Sequence, residues 1–105
     1  VFNAKHYSEV IRLGGGLSRP LFESGNFQAR LGIGRLVENA AARTNNRRVQ
    51  MIELIDTIGW SQIELGDLDH GASAVEHGMK IAAELNDPFY LSKGSRHLGV
   101  IQRNA

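Results

Sequence analysis

The sequence predicts an all-α fold of about five helices, arranged as antiparallel hairpins that stack on one another. Three observations carry this expectation. Apolar residues fall at helical spacing nearly throughout, and no stretch shows sustained strict alternation. Only two prolines occur, Pro20 and Pro88, so little interrupts a helix. The breaks recur at a fixed interval: Gly25 to Gly66 and Asn46 to Asp87 are each 41 residues apart, and Ile58-Gly59 to Leu98-Gly99 are 40 apart.

The helices are expected at roughly 4–24, 27–44, 47–65, 68–85 and 88–105. The first and second are separated by Gly25-Asn26 and the second and third by Asn45-Asn46. Gly66-Asp67 ends the third helix: glycine can take the left-handed conformation, and Asp67 can accept from the free amides of the next helix. Asn86-Asp87-Pro88 supplies a cap followed by proline at the first helical position, where its missing N–H loses nothing. In the first helix Pro20 removes the bond to the carbonyl of Gly16, which predicts a kink or break between 14 and 20. Core stripes are expected at Leu31, Ile33, Gly34, Val37 and Ala41; at Met51, Leu54, Ile55, Ile58 and Leu65, interrupted by Gln62; and at Val75, Met79, Ala82 and Leu85, extended by Ala72 and Ala74. Turns this short make neighbouring helices antiparallel. A single hairpin cannot bury its apolar face, so stacked units of about 4–46, 47–87 and an incomplete 88–105 must bury it together.

The composition narrows the class further. At 105 residues, 42% hydrophobic and 22% charged, the chain is one ordinary globular domain at most. Twelve Lys+Arg against eleven Asp+Glu leave a formal charge of +1, so nothing global draws it to nucleic acid or anionic lipid. The absence of cysteine removes disulfides and thiolate metal sites. No apolar run approaches a membrane span, and no signal-peptide pattern opens the chain. The chain begins without Met and stops just before the period would place another glycine, so a segment of a longer array is expected.

The stretch "IGWSQIELGDLDHGASAVEHGMKIA" resembles a tetratricopeptide repeat (TPR), whose pattern places Leu-Gly in helix A, Gly-Asp at the turn and small residues in helix B. Ile58-Gly59, Gly66-Asp67, and Gly71 with Gly78 occupy those positions. Small side chains there let the ridges of one helix sink into the next. Gln62 stands at a usual aromatic position, and the period exceeds the commonest TPR length. The first unit, "VIRLGGGLSRPLFESGNFQARLGIGRLVENAAARTNN", is similar to the repeats that follow the nucleotide-binding core in bacterial STAND-type ATPase regulators, including the NB-ARC class. The resemblance implies a TPR-like right-handed α-α superhelix and a non-catalytic module in the regulatory, cytoplasmic part of a signalling protein. It implies a protein, peptide or effector partner and no cofactor.

Other chemistry is poorly served. "GGGLSRP" at 14–20 lacks the Gly-Lys-Ser/Thr ending of a phosphate loop, and "GIGRLV" at 32–37 has Val37 where a dinucleotide fingerprint needs glycine. His70 and His77 lie seven apart, too far to close a tight metal site, and read as a solvated face. No Ser/His/Asp constellation can be assembled.

The candidate site is a groove. Glu53, Asp56, Trp60 and Glu64 share a face of the third helix distinct from its core stripe, and in TPR arrays that face is concave. By the repeat offset, the equivalent positions are Arg12, Gly15, Arg19, Phe22 and Glu23 in the first helix, and Lys93, Arg96, Val100 and Arg103 in the fifth. Trp60 is expected to be partly accessible, near Phe22 and between Arg19 and Arg96. An acidic row with one Trp then lies between two basic rows. The plain reading is mutual charge satisfaction between helices; the functional one is a recognition groove with an aromatic anchor. A purely structural spacer is the competing class. Phosphate tracking along RNA or DNA is disfavoured by the acidic row. Phe89, Leu91, Leu98, Val100 and Ile101 give the fifth helix an apolar strip. Leu98 and Ile101 are expected to pack back on the third and fourth helices, and self-association to run through the remainder.

Overall fold

The computed structural model describes residues 4–104. The described residues form five helices: α1 (Ala4–Glu23), α2 (Phe27–Arg43), α3 (47–64), α4 (Leu68–Glu84) and α5 (Pro88–Asn104). No strand occurs among the described residues, and no helix is long and apolar enough to cross a membrane. The expected boundaries agree within a residue or so, except that residue 105 lies outside the described part.

All four turns are built the same way. Gly25, Asn45, Gly66 and Asn86 take positive φ of 74°, 55°, 82° and 53°. Around each, two backbone bonds close the preceding helix, as in Asn26 N–H to Leu21 O and Gly25 N–H to Phe22 O, both 3.0 Å. The residue after each left-handed position is also the cap of the next helix. Asn26 and Asn46 accept from the amides of Ala29 and Val49, each at 3.2 Å, and Asp87 accepts from Tyr90 N–H at 3.0 Å. Asp67 departs from expectation. Its carboxylate makes no capping bond and instead meets His70 Nδ1 at 2.9 Å.

α3 lies at the centre, in contact with α2, α4 and α5, and with α1 through Ser18 and Thr57. Its Met51 and Ile55 are fully buried, together with Val37 of α2 and Val75, Ile81 and Ala82 of α4. Glycines let these helices approach. A Cβ on Gly78 would sit 2.5 Å from Ile55 Cγ1, and one on Gly34 2.6 Å from Thr57 Cγ2. Gly71 is likewise tight against Ile63, at 3.2 Å.

Several expectations fail. α1 runs unbroken through Pro20, which stands in its last turn, so the break between 14 and 20 is absent. Gly14 packs against Val37, which holds this part of the helix on α2 while Gly15 and Gly16 face open space. Leu65 and Leu85 are exposed, because each is the residue at which its helix ends. Gln62 is buried in place of Leu65, and Ile81 belongs to the core although no stripe included it. On α5, Leu91 packs against the core beside Tyr90, Leu98 and Ile101 are half-buried, and Phe89 is exposed.

One feature of α3 has no counterpart in the sequence pattern. Glu53–Gly59 is π-helical, between α-helical segments Arg47–Ile52 and Trp60–Glu64. Such widened turns are rare and concentrate at functional positions. Gly59 permits this one: a Cβ there would lie 2.8 Å from Leu54 O and 2.6 Å from Val75 Cγ2.

Candidate functional site

The π-helical turn forms the floor of the main groove, a cavity of about 500 Å³ between α1, α3 and α5. α1 contributes Gly15, Ser18, Arg19 and Phe22; α3 contributes Ile52, Glu53, Asp56, Thr57 and Trp60; α5 contributes Lys93 and His97; and Arg30 reaches in from α2. Of the residues expected from sequence, Gly15, Arg19, Phe22, Glu53, Asp56, Trp60 and Lys93 are brought together here. Glu64 and Val100 line a second cavity of about 420 Å³ on the other side of Trp60. Arg12, Arg96 and Arg103 are exposed and line neither cavity, and Glu23, also outside both linings, pairs with Arg19 at 3.8 Å.

Trp60 therefore does not stand between Arg19 and Arg96. Its ring lies 4.8 Å from that of His97, tilted by 38°. The face that α5 turns inward runs Lys93, His97, Val100, Asn104. The expected row of Lys93, Arg96, Val100 and Arg103 shares Lys93 and Val100 with it and differs only in stepping three residues where the observed face steps four, and helical spacing alone does not choose between them.

Charge is arranged in two different ways within the groove. Lys93 Nζ approaches Asp56 Oδ1 at 2.8 Å as an ion pair off the direction of a well-formed hydrogen bond, His97 Nε2 lies 3.9 Å from the same oxygen, and Tyr90 donates to Asp56 Oδ2 at 3.3 Å. Burial raises the Asp56 pKa, but His97 and Lys93 outweigh it and hold the carboxyl below its ordinary value. Burial and Asp56 together push the Tyr90 hydroxyl up to about 12. Asp56 is a satisfied carboxylate.

Glu53 is the opposite case. It is only 6% exposed, and its Oε1 finds no hydrogen-bond partner in the protein. Burial pushes its carboxyl up to about 7, a rise that Thr57 and the Arg30 charge offset only in part and Asp56 reinforces. Arg30 carries the compensating positive charge without bonding to Glu53. Its Nε donates to Ser18 O at 3.0 Å, its Nη1 to Asp56 O at 2.9 Å, and its guanidinium lies 5.2 Å from the centre of the Phe22 ring.

Sequence reasoning missed Ser18, Arg30, Ile52, Thr57 and His97. Arg30 was the hardest to find, since it sits beside Leu31 of the α2 core stripe and reads as an ordinary exposed cation. His97 follows Lys93 by four residues, a spacing that could have pointed to it. Among the described residues no group of three or more His, Cys, Asp or Glu side chains is placed to hold a metal ion. Compared with protein-family models, with curated proteins and with solved structures, the chain shows no match.

Proposed function

We propose that this chain is a TPR-like repeat segment acting as a non-catalytic interaction module, with the α1–α3–α5 groove as its binding surface and a peptide segment of another protein as its partner. The observation that supports this best is the groove itself: a concavity flanked by half-buried Trp60 and exposed Phe22, with the buried Glu53 at its floor. Aromatic anchors in concave surfaces contribute disproportionately, because they bury large area while ordering few torsions. The right-handed superhelix, a cytoplasmic setting and a place in the regulatory repeats of a bacterial ATPase of the STAND class are part of the same proposal. They rest on the sequence resemblance.

The test is selection of displayed random peptides against the chain, followed by calorimetry of the enriched sequences. Trp60→Ala is expected to weaken them by about 2 kcal/mol or more. Failure to enrich any sequence, or enriched peptides indifferent to Trp60→Ala, removes the groove reading. A structural spacer is the second reading, and the Lys93–Asp56 pair favours it, because part of the groove's charge is already neutralised internally.

A further inference from the structure

The groove lining holds Arg19, Arg30, Lys93 and His97 against two carboxylates, Glu53 and Asp56. Lys93 is already paired with Asp56 at 2.8 Å, and Arg19 meets Glu23 at 3.8 Å. Arg30, only 7% exposed, makes no ion pair with a described residue. Asp56 and Glu53 act on its charge through space, but neither carboxylate bonds to it.

The guanidinium of Arg30 is nonetheless held firmly. Its Nε donates to Ser18 O at 3.0 Å, its Nη1 to Asp56 O at 2.9 Å, and the Phe22 ring stands 5.2 Å from its central carbon. Nη2, with its two N–H groups, has no hydrogen-bond partner among the described residues. It differs from the buried atoms left without partners, such as Glu53 Oε1 and His97 Nε2, in keeping accessible surface. A buried arginine, fixed through two of its nitrogens, thus leaves the third free at the cavity it lines.

We propose that the groove receives the carboxylate of an acidic side chain within a partner peptide, accepting a hydrogen bond from Arg30 Nη2. This rests on the interaction-module reading and specifies its partner. A bond to a cation that is already dehydrated and immobilised loses little further solvation or torsional freedom on forming. Guanidinium suits the task, since it stays protonated, bonds carboxylates in its own plane and leaves its face to an aromatic ring. Phe22 and Trp60 supply apolar surface for the methylene groups of the incoming acid. A basic side chain would instead meet Arg19, Arg30 and Lys93, with Asp56 already paired and the unbonded Glu53 oxygen buried.

The experiment uses pentapeptides Gly-Gly-X-Gly-Gly blocked at both ends, with X as Glu, Gln, Leu or Lys, so that X carries any charge. Each is titrated into the labelled chain while the indole N–H of Trp60, the one tryptophan of the sequence, is followed by NMR. The Glu peptide is expected to bind about tenfold more tightly than its uncharged isostere, the Gln peptide. Arg30→Gln is expected to abolish the difference, and Arg35→Gln, exposed on α2, to leave it intact. Should Arg30→Gln fail to fold, Glu53→Gln decides. Glu53 competes with the peptide for the charge of Arg30, whose other charged neighbours in the groove are Arg19 of α1, Asp56 of α3, and Lys93 with His97 of α5. At about pH 8, above the value of about 7 to which burial pushes Glu53, the Glu53→Gln change is expected to strengthen the Glu peptide several-fold and leave the Gln peptide unaltered. Equal binding of the Glu and Gln peptides, tighter binding of the Lys peptide, or a Glu preference that no folded variant at Arg30 or Glu53 alters overturns the inference and leaves the groove reading standing. An indole signal unmoved by every pentapeptide also overturns it, and the display selection then decides the broader reading separately.

Discussion

α1 and α3 occupy equivalent places in the chain, 41 residues apart, and their turns close with the same backbone bonds, yet the two helices themselves differ sharply. No described residue of α1 is buried, whereas eleven of the eighteen residues of α3 are. Arg12 and Glu53 correspond by the offset; one is exposed and the other is 6% exposed. α3 has neighbours on both sides and α1 on one. Position in the stack therefore sets burial, and burial turns an ordinary glutamate into a group with a perturbed pKa and an unmet acceptor. The unusual chemistry lies in the middle helix because, unlike α1, it is packed from two directions.

The sharpest test of this contrast is core truncation at matched positions. Met51→Ala removes a side chain with no exposure and is expected to cost about 2–5 kcal/mol, whereas Val10→Ala, its half-buried counterpart in α1, costs about 1 kcal/mol or less. Denaturant unfolding measures both. Equal losses would show that α1 is as well covered as α3 and would dissolve the comparison.

Next in size is the pH dependence carried by Glu53. Its pKa rises from 4.5 to about 7 on folding, so between those values the folded protein holds a proton that the unfolded chain has released. Stability must then fall as pH rises through this window and level off above it, by roughly 3 kcal/mol at most. Asp56 acts in the opposite sense and in another range. Its depressed pKa gives stability present above its ordinary value of 3.8 and lost as pH falls through the lower folded value. Urea midpoints measured against Glu53→Gln should isolate the first effect. Parallel curves for the two proteins from pH 4.5 to 7 would mean that Glu53 is better solvated than its burial indicates.

These tests probe a site that was only partly visible in the sequence. The turns were legible because Gly-Asn, Asn-Asn, Gly-Asp and Asn-Asp pairs have local reasons to end one helix and cap the next. The face of α3 bearing Glu53, Asp56 and Trp60 was legible from spacing. The π-helical turn was not, since its cause is tertiary: Gly59 must fit under Val75 while tolerating Leu54 O. Arg30 was illegible for a related reason. Its burial depends on carbonyls of Ser18 and Asp56, one on either side of it in the chain. The choice of His97 over Arg96 depends on the rotation of α5 about its axis, which packing against α3 and α4 decides.

Glycine substitutions separate close approach from mere permissiveness. Gly78→Leu should destabilise by about 1–3 kcal/mol, since even a Cβ there meets Ile55 and Leu54. Gly16→Ala in α1 has nothing within 4 Å of the new carbon and should stabilise by roughly 0.5–1 kcal/mol through helix propensity alone. Opposite signs in melting temperature are the expected result. A stabilising Gly78→Ala would contradict the close packing of α3 on α4.

The smallest effect sharpens the comparison at the turns, where the two hairpins are otherwise alike. Asn26 and Asp67 are also 41 residues apart and cap α2 and α4. Asn26 bonds to the Ala29 amide, so Asn26→Ala should cost about 1 kcal/mol and be little changed by salt. Asp67 makes no such bond and turns to His70 instead. What Asp67→Ala removes is the attraction of a carboxylate for the amino end of α4 and for that histidine, both at the surface. A loss of about 0.5 kcal/mol is expected, shrinking as salt screens it. Thermal melts at low and high ionic strength distinguish the two mechanisms within one protein. If the Asp67 loss were larger and salt-independent, its carboxylate would be capping the helix in solution, and the second hairpin would match the first in this respect too.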